Sequence, residues 1–127
     1  MRKKSIPARY EADEQAALFE WAAWNLGRYP ELWLMYHVPN GGDRNIVTAK
    51  RLKEQGVKPG VFDICLPVSR GKYGAMYVEM KREKGGRLSE SQKQWMETSV
   101  QFGNYCVVCH GFEEAANEIE KYLRGRA

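Results

Sequence analysis

The sequence predicts a single α/β domain in which a small mixed sheet is flanked by helices. Segments with the apolar periodicity of helices alternate with short apolar segments typical of strands, in the order helix, strand, helix, strand, strand, helix, strand, helix. The length of 127 residues suits one domain. A composition of 43% hydrophobic and 28% charged residues excludes disordered and fibrous proteins.

The N-terminal part is predicted to begin with a loose basic arm over residues 1–9, followed by one folded domain over residues 10–127. The first helix is expected from Glu11 to Gly27, because glycine is a common helix stop. Glu14 lies one turn before Leu18 on the apolar face of this helix. We therefore expect Glu14 either at the edge of that face or partly buried for a reason.

A strand is predicted next from Leu32 to Val38, because this apolar and aromatic segment ends at the turn-forming residues 39–42. The second helix is predicted from Arg44 to Gln55, with Gly56 as its cap. Its apolar side chains are expected to point inward and its basic ones largely outward: Ile46, Val47 and Leu52 against Lys50, Arg51 and Lys53.

Two apolar segments on either side of a polar loop predict a hairpin, with strands from Val61 to Val68 and from Ala75 to Lys81. If the hairpin is centred on Gly71, residue i lies opposite residue 142 − i. Asp63 then lies opposite Glu79, and opposed side chains are about 5 Å apart. Two carboxylates would share one site.

The C-terminal part is predicted to contain two helices with a strand between them. Ser89 and Gln92 have the spacing of a capping box, which predicts a helix that ends at Gly103. The strand from Asn104 to His110 can run parallel to its predecessor, because a crossover helix returns the chain. The closing helix is indicated by apolar residues at helical spacing: Phe112, Ala115, Ala116, Ile119, Tyr122 and Leu123.

Positive charge is concentrated in the middle of the chain. The net charge is +4, but residues 44–93 carry 12 basic and 5 acidic side chains, which favours a polyanionic partner. No apolar run is long enough for a membrane span or a signal peptide, so we expect a cytoplasmic protein without a membrane partner. The three cysteines fit core packing better than zinc or a disulfide.

Asp63 and the triplet Glu79-Met80-Lys81 carry the most specific chemical signal. Side chains alternate along a strand, so Glu79 and Lys81 share a face on which Met80 offers only its backbone carbonyl. Two carboxylates, a carbonyl and waters are oxygen ligands of the kind that Mg²⁺ prefers. An ammonium group beside such a site would stabilise charge on a phosphate.

Together with Gly60–Asp63, helical Glu14 and Gln92, this pattern resembles the PD-(D/E)XK nuclease superfamily, and within it the virus-type replication-repair nuclease (VRR-NUC) family. The resemblance covers about residues 11–108, and Phe62 stands where the superfamily motif has proline. It implies a restriction-endonuclease-like αβββαβ core. The activity that it implies is that of a Mg²⁺- or Mn²⁺-dependent endodeoxyribonuclease.

The same resemblance implies a role for each site residue. Asp63, Glu79 and the Met80 carbonyl would bind the metal, and Lys81 would activate water. Glu14 would position a second metal or a water, while Gln92 would orient Lys81 or the nucleophile. Basic residues near the site are expected to contact the DNA backbone: Arg44, Lys50, Arg51, Lys53, Lys58, Arg82, Lys84 and Arg87.

The partner and the assembly are implied in the same way. Stand-alone members of the family occur largely in phages and prophages and resemble Holliday junction resolvases that act as homodimers in replication, recombination or repair. The expected partner is therefore branched or four-way-junction DNA in the cytoplasm of a bacterial host. One site per chain would require two copies to cut both strands of a junction.

Several of these residues also have purely structural interpretations. Glu14 could complement the helix dipole, Gln92 could serve only the capping box, and Lys81 could be a simple counter-ion. His37 is typical of a polar strand end, with a phosphate contact as the alternative. The tryptophans are expected in the core: Trp21, Trp24, Trp33 and Trp95. The alternative functions are a DNA-binding module that no longer cuts, a sequence-specific restriction-like nuclease and a protein-interaction domain.

Overall fold

The computed structural model describes residues 11–39, 46–82 and 86–127, and it confirms the predicted α/β class with a mixed sheet flanked by helices. The helices and strands are α1 (Glu11–Trp24), a 3-10 helix (Pro30–Leu34), β1 (Tyr36–His37), α2 (Ile46–Glu54), β2 (Ile64–Leu66), β3 (Met76–Lys81), α3 (Glu90–Gln101), β4 (Tyr105–His110) and α4 (Phe112–Leu123). Within these described ranges, no helix is long and apolar enough to cross a membrane.

Some predictions fall outside the described residues. These are the arm over residues 1–9, the turn residues 40–42, the DNA-contact candidates Arg44 and Lys84, and the side chains of Ile46 and Val47. The division of the chain into an arm and one domain over residues 10–127 stays a prediction.

The four strands lie in the order β1, β2, β3, β4, with the first two pairings antiparallel and the last parallel. Ile64 pairs with Val78 and Leu66 with Met76, which confirms the predicted hairpin register. Asp63 directly precedes β2, at the next position of this ladder and opposite Glu79. The predicted parallel pairing across α3 is also confirmed.

Alternation along β3 separates the core from the face that carries the site. Met76, Val78 and Met80 are fully buried against α1 and α4 in the main hydrophobic core. On the opposite face, helix α3 places Trp95 against Tyr77, with ring centroids 4.8 Å apart. Trp95 also contacts Phe62 at 5.2 Å, which fixes the helix over the end of the hairpin.

The predicted strand from Leu32 to Val38 is wrong over its first half. Pro30 begins a 3-10 helix in which the Met35 N–H donates to the Leu32 carbonyl at 3.1 Å, so extended backbone starts only at Tyr36. Other elements are shorter than predicted. In particular, α1 ends at Trp24, where the Asn25 side chain donates to the Trp21 carbonyl at 2.8 Å.

Two of the four tryptophans are exposed, so the prediction that all four lie in the core is wrong for them. Trp24 is 84% exposed and Trp33 is 77% exposed, because they lie at the end of α1 and on the outer side of the 3-10 helix. Trp21 packs against the core, and Trp95 on α3 is partly buried against Phe62 and Tyr77.

Candidate active site

The carboxylates of Asp63 and Glu79 each accept a hydrogen bond from a backbone N–H on the opposite side of the hairpin. The backbone N–H of Asp63 donates to Glu79 Oε1 at 3.1 Å, and the backbone N–H of Met80 donates to Asp63 Oδ2 at 3.0 Å. The structure thus brings together the two carboxylates that the hairpin register places opposite one another. The Met80 side chain lies in the core, on the other face of β3.

Strand β1 holds the backbone of Asp63 from the other side. The Val38 N–H donates to the Asp63 carbonyl at 2.6 Å, and His37 Nδ1 lies 3.0 Å from the same oxygen. No local pattern in the sequence shows which segment pairs with β2, so this contact of His37 could not be predicted. The His37 imidazole therefore contacts the backbone of a site residue.

Lys81 and Gln92 complete the cluster above Glu79. Lys81 Nζ lies 3.3 Å from Glu79 Oε2 and 3.3 Å from Gln92 Oε1. Gln92 Nε2 donates to Glu79 Oε2 at 2.7 Å, while its Oε1 also accepts the Ser89 N–H at 2.9 Å. The capping box is confirmed, and one Gln92 amide both caps α3 and contacts the acidic pair.

Glu79 is an unusual carboxylate, because its side chain is only 3% exposed. Burial, and then the nearby Asp63 charge, raise the pKa of Glu79 from 4.5 to about 7, although Lys81 and the Asp63 N–H act in the opposite direction. Burial and the neighbouring Asp63 charge therefore disfavour a negative charge on Glu79. A divalent cation between the two carboxylates would offset this repulsion.

Glu14 is buried as expected, and its side chain contacts the start of α4. It is 3% exposed, and its Oε1 accepts the Phe112 N–H at 2.6 Å, at the first turn of α4. The preceding residue, Gly111, has no side chain to cap α4, so Glu14 supplies an acceptor from α1. Among the described residues, no three His, Cys, Asp or Glu side chains form a group that could hold a metal ion. The role of Glu14 at a second metal stays a prediction.

Comparison with known proteins gives a family for this arrangement. A family model of the VRR-NUC domain matches residues 10–113. The chain belongs to the VRR-NUC family. A solved structure described as a VRR_NUC domain protein is 22% identical in sequence and superposes with a TM-score of 0.81. The match covers 94% of this chain and 93% of the chain in that structure. No curated protein matches the sequence.

The family is one of nucleases, so this VRR-NUC chain is a nuclease-type domain that binds DNA. The likeness to the solved structure shows a shared fold, whose sheet and flanking helices place the acidic pair at one end of the β2–β3 hairpin. The resemblance seen in the sequence is thereby confirmed at the level of the family and the fold.

A groove of about 420 Å³ leads to the acidic pair of this VRR-NUC domain, and we call it the catalytic groove. It lies between α2, the turn over residues 57–60 and the start of α3, with Asp63 and Gln92 in its lining. Lys53 and Lys58 also line it, whereas other DNA-contact candidates are exposed residues outside that lining: Lys50, Arg51, Arg82 and Arg87.

The raised pKa of Glu79 predicts a pH-dependent stability for the metal-free domain. In the folded protein Glu79 holds a proton up to about pH 7, while the unfolded chain releases it near 4.5. The free energy of unfolding should therefore fall as the pH rises through this window, by about 3 kcal/mol. We expect urea unfolding in EDTA to show this loss for the wild type relative to Glu79→Gln. The prediction would be wrong if the free energy of unfolding of the wild type, minus that of Glu79→Gln, stayed constant or rose between pH 4 and 8.

Proposed function

We propose that this VRR-NUC domain is a Mg²⁺- or Mn²⁺-dependent endonuclease that hydrolyses phosphodiester bonds in DNA. The observation that carries the proposal is the Asp63–Glu79 pair, in which Glu79 is buried and contacts Lys81 and Gln92 while Asp63 lines a groove with basic residues. Protein Mg²⁺ sites commonly use one or two carboxylates, with waters and substrate phosphates as the other ligands. Asp63, Glu79 and the Met80 carbonyl would hold the cation here.

The cation, when bound, would lower the pKa of a coordinated water and neutralise charge on the phosphate. Lys81 provides a fixed positive charge beside the acidic pair, because its side chain is only 12% exposed and has two acceptors at 3.3 Å. Such a preorganised ammonium stabilises negative charge that grows on the attacking oxygen or the phosphate. Gln92 is a positioning residue, since its Oε1 accepts from Lys81 and its Nε2 donates to Glu79.

The catalytic groove suits a phosphate backbone. Lys53 and Lys58 line it and are exposed, so they can approach phosphates without losing buried ion pairs. Their attraction for DNA is independent of base sequence and weakens with salt. The groove therefore supports backbone binding next to Asp63, with no element that predicts recognition of a particular sequence.

The finer proposal is that the substrate is branched DNA, in particular a four-way junction, and that two copies act as a homodimer. One acidic pair per chain cuts one strand, whereas resolution of a junction needs two symmetric cuts. A role in replication, recombination or repair of phage or prophage DNA in a bacterial cytoplasm is part of this proposal. Glu14 would act there in positioning a second metal or a water.

Metal-dependent cleavage tests the proposal directly. Purified protein is incubated with linear duplex, single-stranded, flap and four-way-junction DNA in Mg²⁺, Mn²⁺ or EDTA. We expect cleavage with either cation, none in EDTA, and the fastest cleavage on the junction. Binding without any cleavage would indicate a DNA-binding module that has lost its activity. Discrete cuts at one sequence of the linear duplex would indicate a restriction-like nuclease.

A further inference from the structure

A second groove lies beside the catalytic groove, on the face of the sheet that α3 covers. Its volume is about 510 Å³, and its lining includes three aromatic side chains, Tyr77, Trp95 and Phe102. We call it the aromatic groove. The side-chain amides of Gln94 and Asn104 also line it, so its surface combines ring faces with hydrogen-bonding groups.

The two grooves adjoin along one edge. Lys58, Pro59 and Ser91 line both of them, so a DNA strand in the catalytic groove needs only to pass these residues to reach the aromatic groove. The described residues that line the aromatic groove include a lysine and no acidic side chain. Its charge is therefore compatible with a polyanion that passes this edge.

The aromatic groove combines a ring that is held in place, Trp95, with a ring that is exposed, Phe102. Trp95 is held in place by ring contacts with Phe62 and Tyr77, at 5.2 Å and 4.8 Å between centroids. Phe102 follows the last turn of α3 and is 76% exposed, so packing in the domain interior does not account for it. An exposed phenyl ring at the rim of an aromatic groove is suited to stacking on a flat ligand.

We propose that the aromatic groove binds an unpaired nucleobase of the DNA strand whose backbone runs past Lys58 into the catalytic groove. This inference rests on the proposed function and narrows the substrate class to DNA with an unpaired segment beside the cut, such as a tail, a flap or an open branch point. Stacking on Phe102 and Trp95 accepts any base, because every base has a π face. The preference is therefore for strand structure rather than sequence.

Binding in EDTA isolates this inference from cleavage. The probes are a blunt duplex and the same duplex with a single-stranded tail, each measured by fluorescence anisotropy. Phe102→Ala is expected to weaken binding of the tailed duplex about tenfold and to leave the blunt duplex unchanged. Trp24→Ala is the matched control, because it removes an aromatic side chain that is 84% exposed and lies outside both grooves. It should change neither affinity.

An abasic nucleotide, moved one position at a time along the tail, identifies the stacked base. At the position whose base occupies the aromatic groove, the abasic nucleotide should weaken binding by the wild-type protein about tenfold. At that position, Phe102→Ala should cause no further loss of affinity. Equal loss on both duplexes, no loss on either, or a changed oligomeric mass of Phe102→Ala would overturn the inference. The proposed function fails separately, if none of the DNA substrates is cut in Mg²⁺ or Mn²⁺ even though the tailed duplex is bound.

Discussion

Lys81→Met is expected to lower the rate of Mg²⁺-dependent DNA cleavage by about 100- to 1,000-fold. Methionine keeps most of the apolar length of the side chain but removes the ammonium group that lies 3.3 Å from both Glu79 Oε2 and Gln92 Oε1. In the proposed reaction, the charge is lost where negative charge grows, so the chemical step should be affected most. The measurement is the single-turnover rate at saturating Mg²⁺, on whichever DNA the wild type cuts fastest.

A second effect of this substitution has to be separated from the first. Lys81 lowers the pKa of Glu79, so its removal raises that pKa further and weakens metal binding near neutral pH. The rate is therefore compared across pH 7 to 9 as well as across Mg²⁺ concentration. A loss that disappears at high pH and high Mg²⁺ would make Lys81 a counter-ion rather than a catalytic residue.

Lys121→Met is the matched control for Lys81→Met. Lys121 lies on α4, its side chain is 53% exposed, and it pairs with Glu118 at 3.5 Å. Exposed pairs of this kind contribute at most about 1 kcal/mol to stability. This variant should cleave at the wild-type rate, which shows that loss of one positive charge from the chain is not enough to reduce activity.

Gly60→Ala is expected to destabilise the domain by about 2 to 6 kcal/mol and to lower cleavage by about 100-fold. Gly60 has a φ of +87°, and a Cβ there would collide with the Ser91 carbonyl oxygen and lie 2.9 Å from the Gln92 backbone nitrogen. Backbone atoms cannot yield as the end of a flexible side chain can. The first turn of α3 must move, and Gln92 then loses its alignment with Glu79 and Lys81.

Gly56→Ala separates this collision from backbone strain alone. Gly56 also has a positive φ, +102°, but no heavy atom lies within 4 Å of its added Cβ. We expect a loss of about 1 to 2 kcal/mol from the left-handed conformation and an unchanged cleavage rate. Urea unfolding and single-turnover cleavage are measured at a temperature where both variants are folded. If the two alanine variants behave alike, the contact of Gly60 with α3 has no role in the site.

Much of the site followed from local patterns. The period of two along β3 separates Glu79 and Lys81 from Met80, and the pairing of Ile64 with Val78 follows from a hairpin centred on Gly71. The capping box of Ser89 and Gln92 depends on residues only three positions apart. Each of these features is determined by backbone periodicity or by near neighbours in the chain, so the sequence displays it directly.

Contacts between distant segments could not be derived in this way. The Glu14 carboxylate accepts the N–H of Phe112, 98 residues further along the chain, and no pattern near Glu14 indicates this partner. His37 contacts the Asp63 carbonyl because β1 pairs with β2, and a Cβ at Gly60 would have no room beside Ser91 because the turn before β2 meets α3. None of these partners shares a local pattern with the residue that it contacts.

The order of the helices and strands, the family, and the placement of Asp63 opposite Glu79 can all be predicted from local patterns and motifs. The burial of Glu79 beneath Gln92 and Lys81, the capping of α4 by Glu14 and the exposure of Trp24 and Trp33 appear only in the folded domain. Periodicity and capping act over a few residues. Burial and the resulting pKa of Glu79 depend instead on which distant elements pack over it.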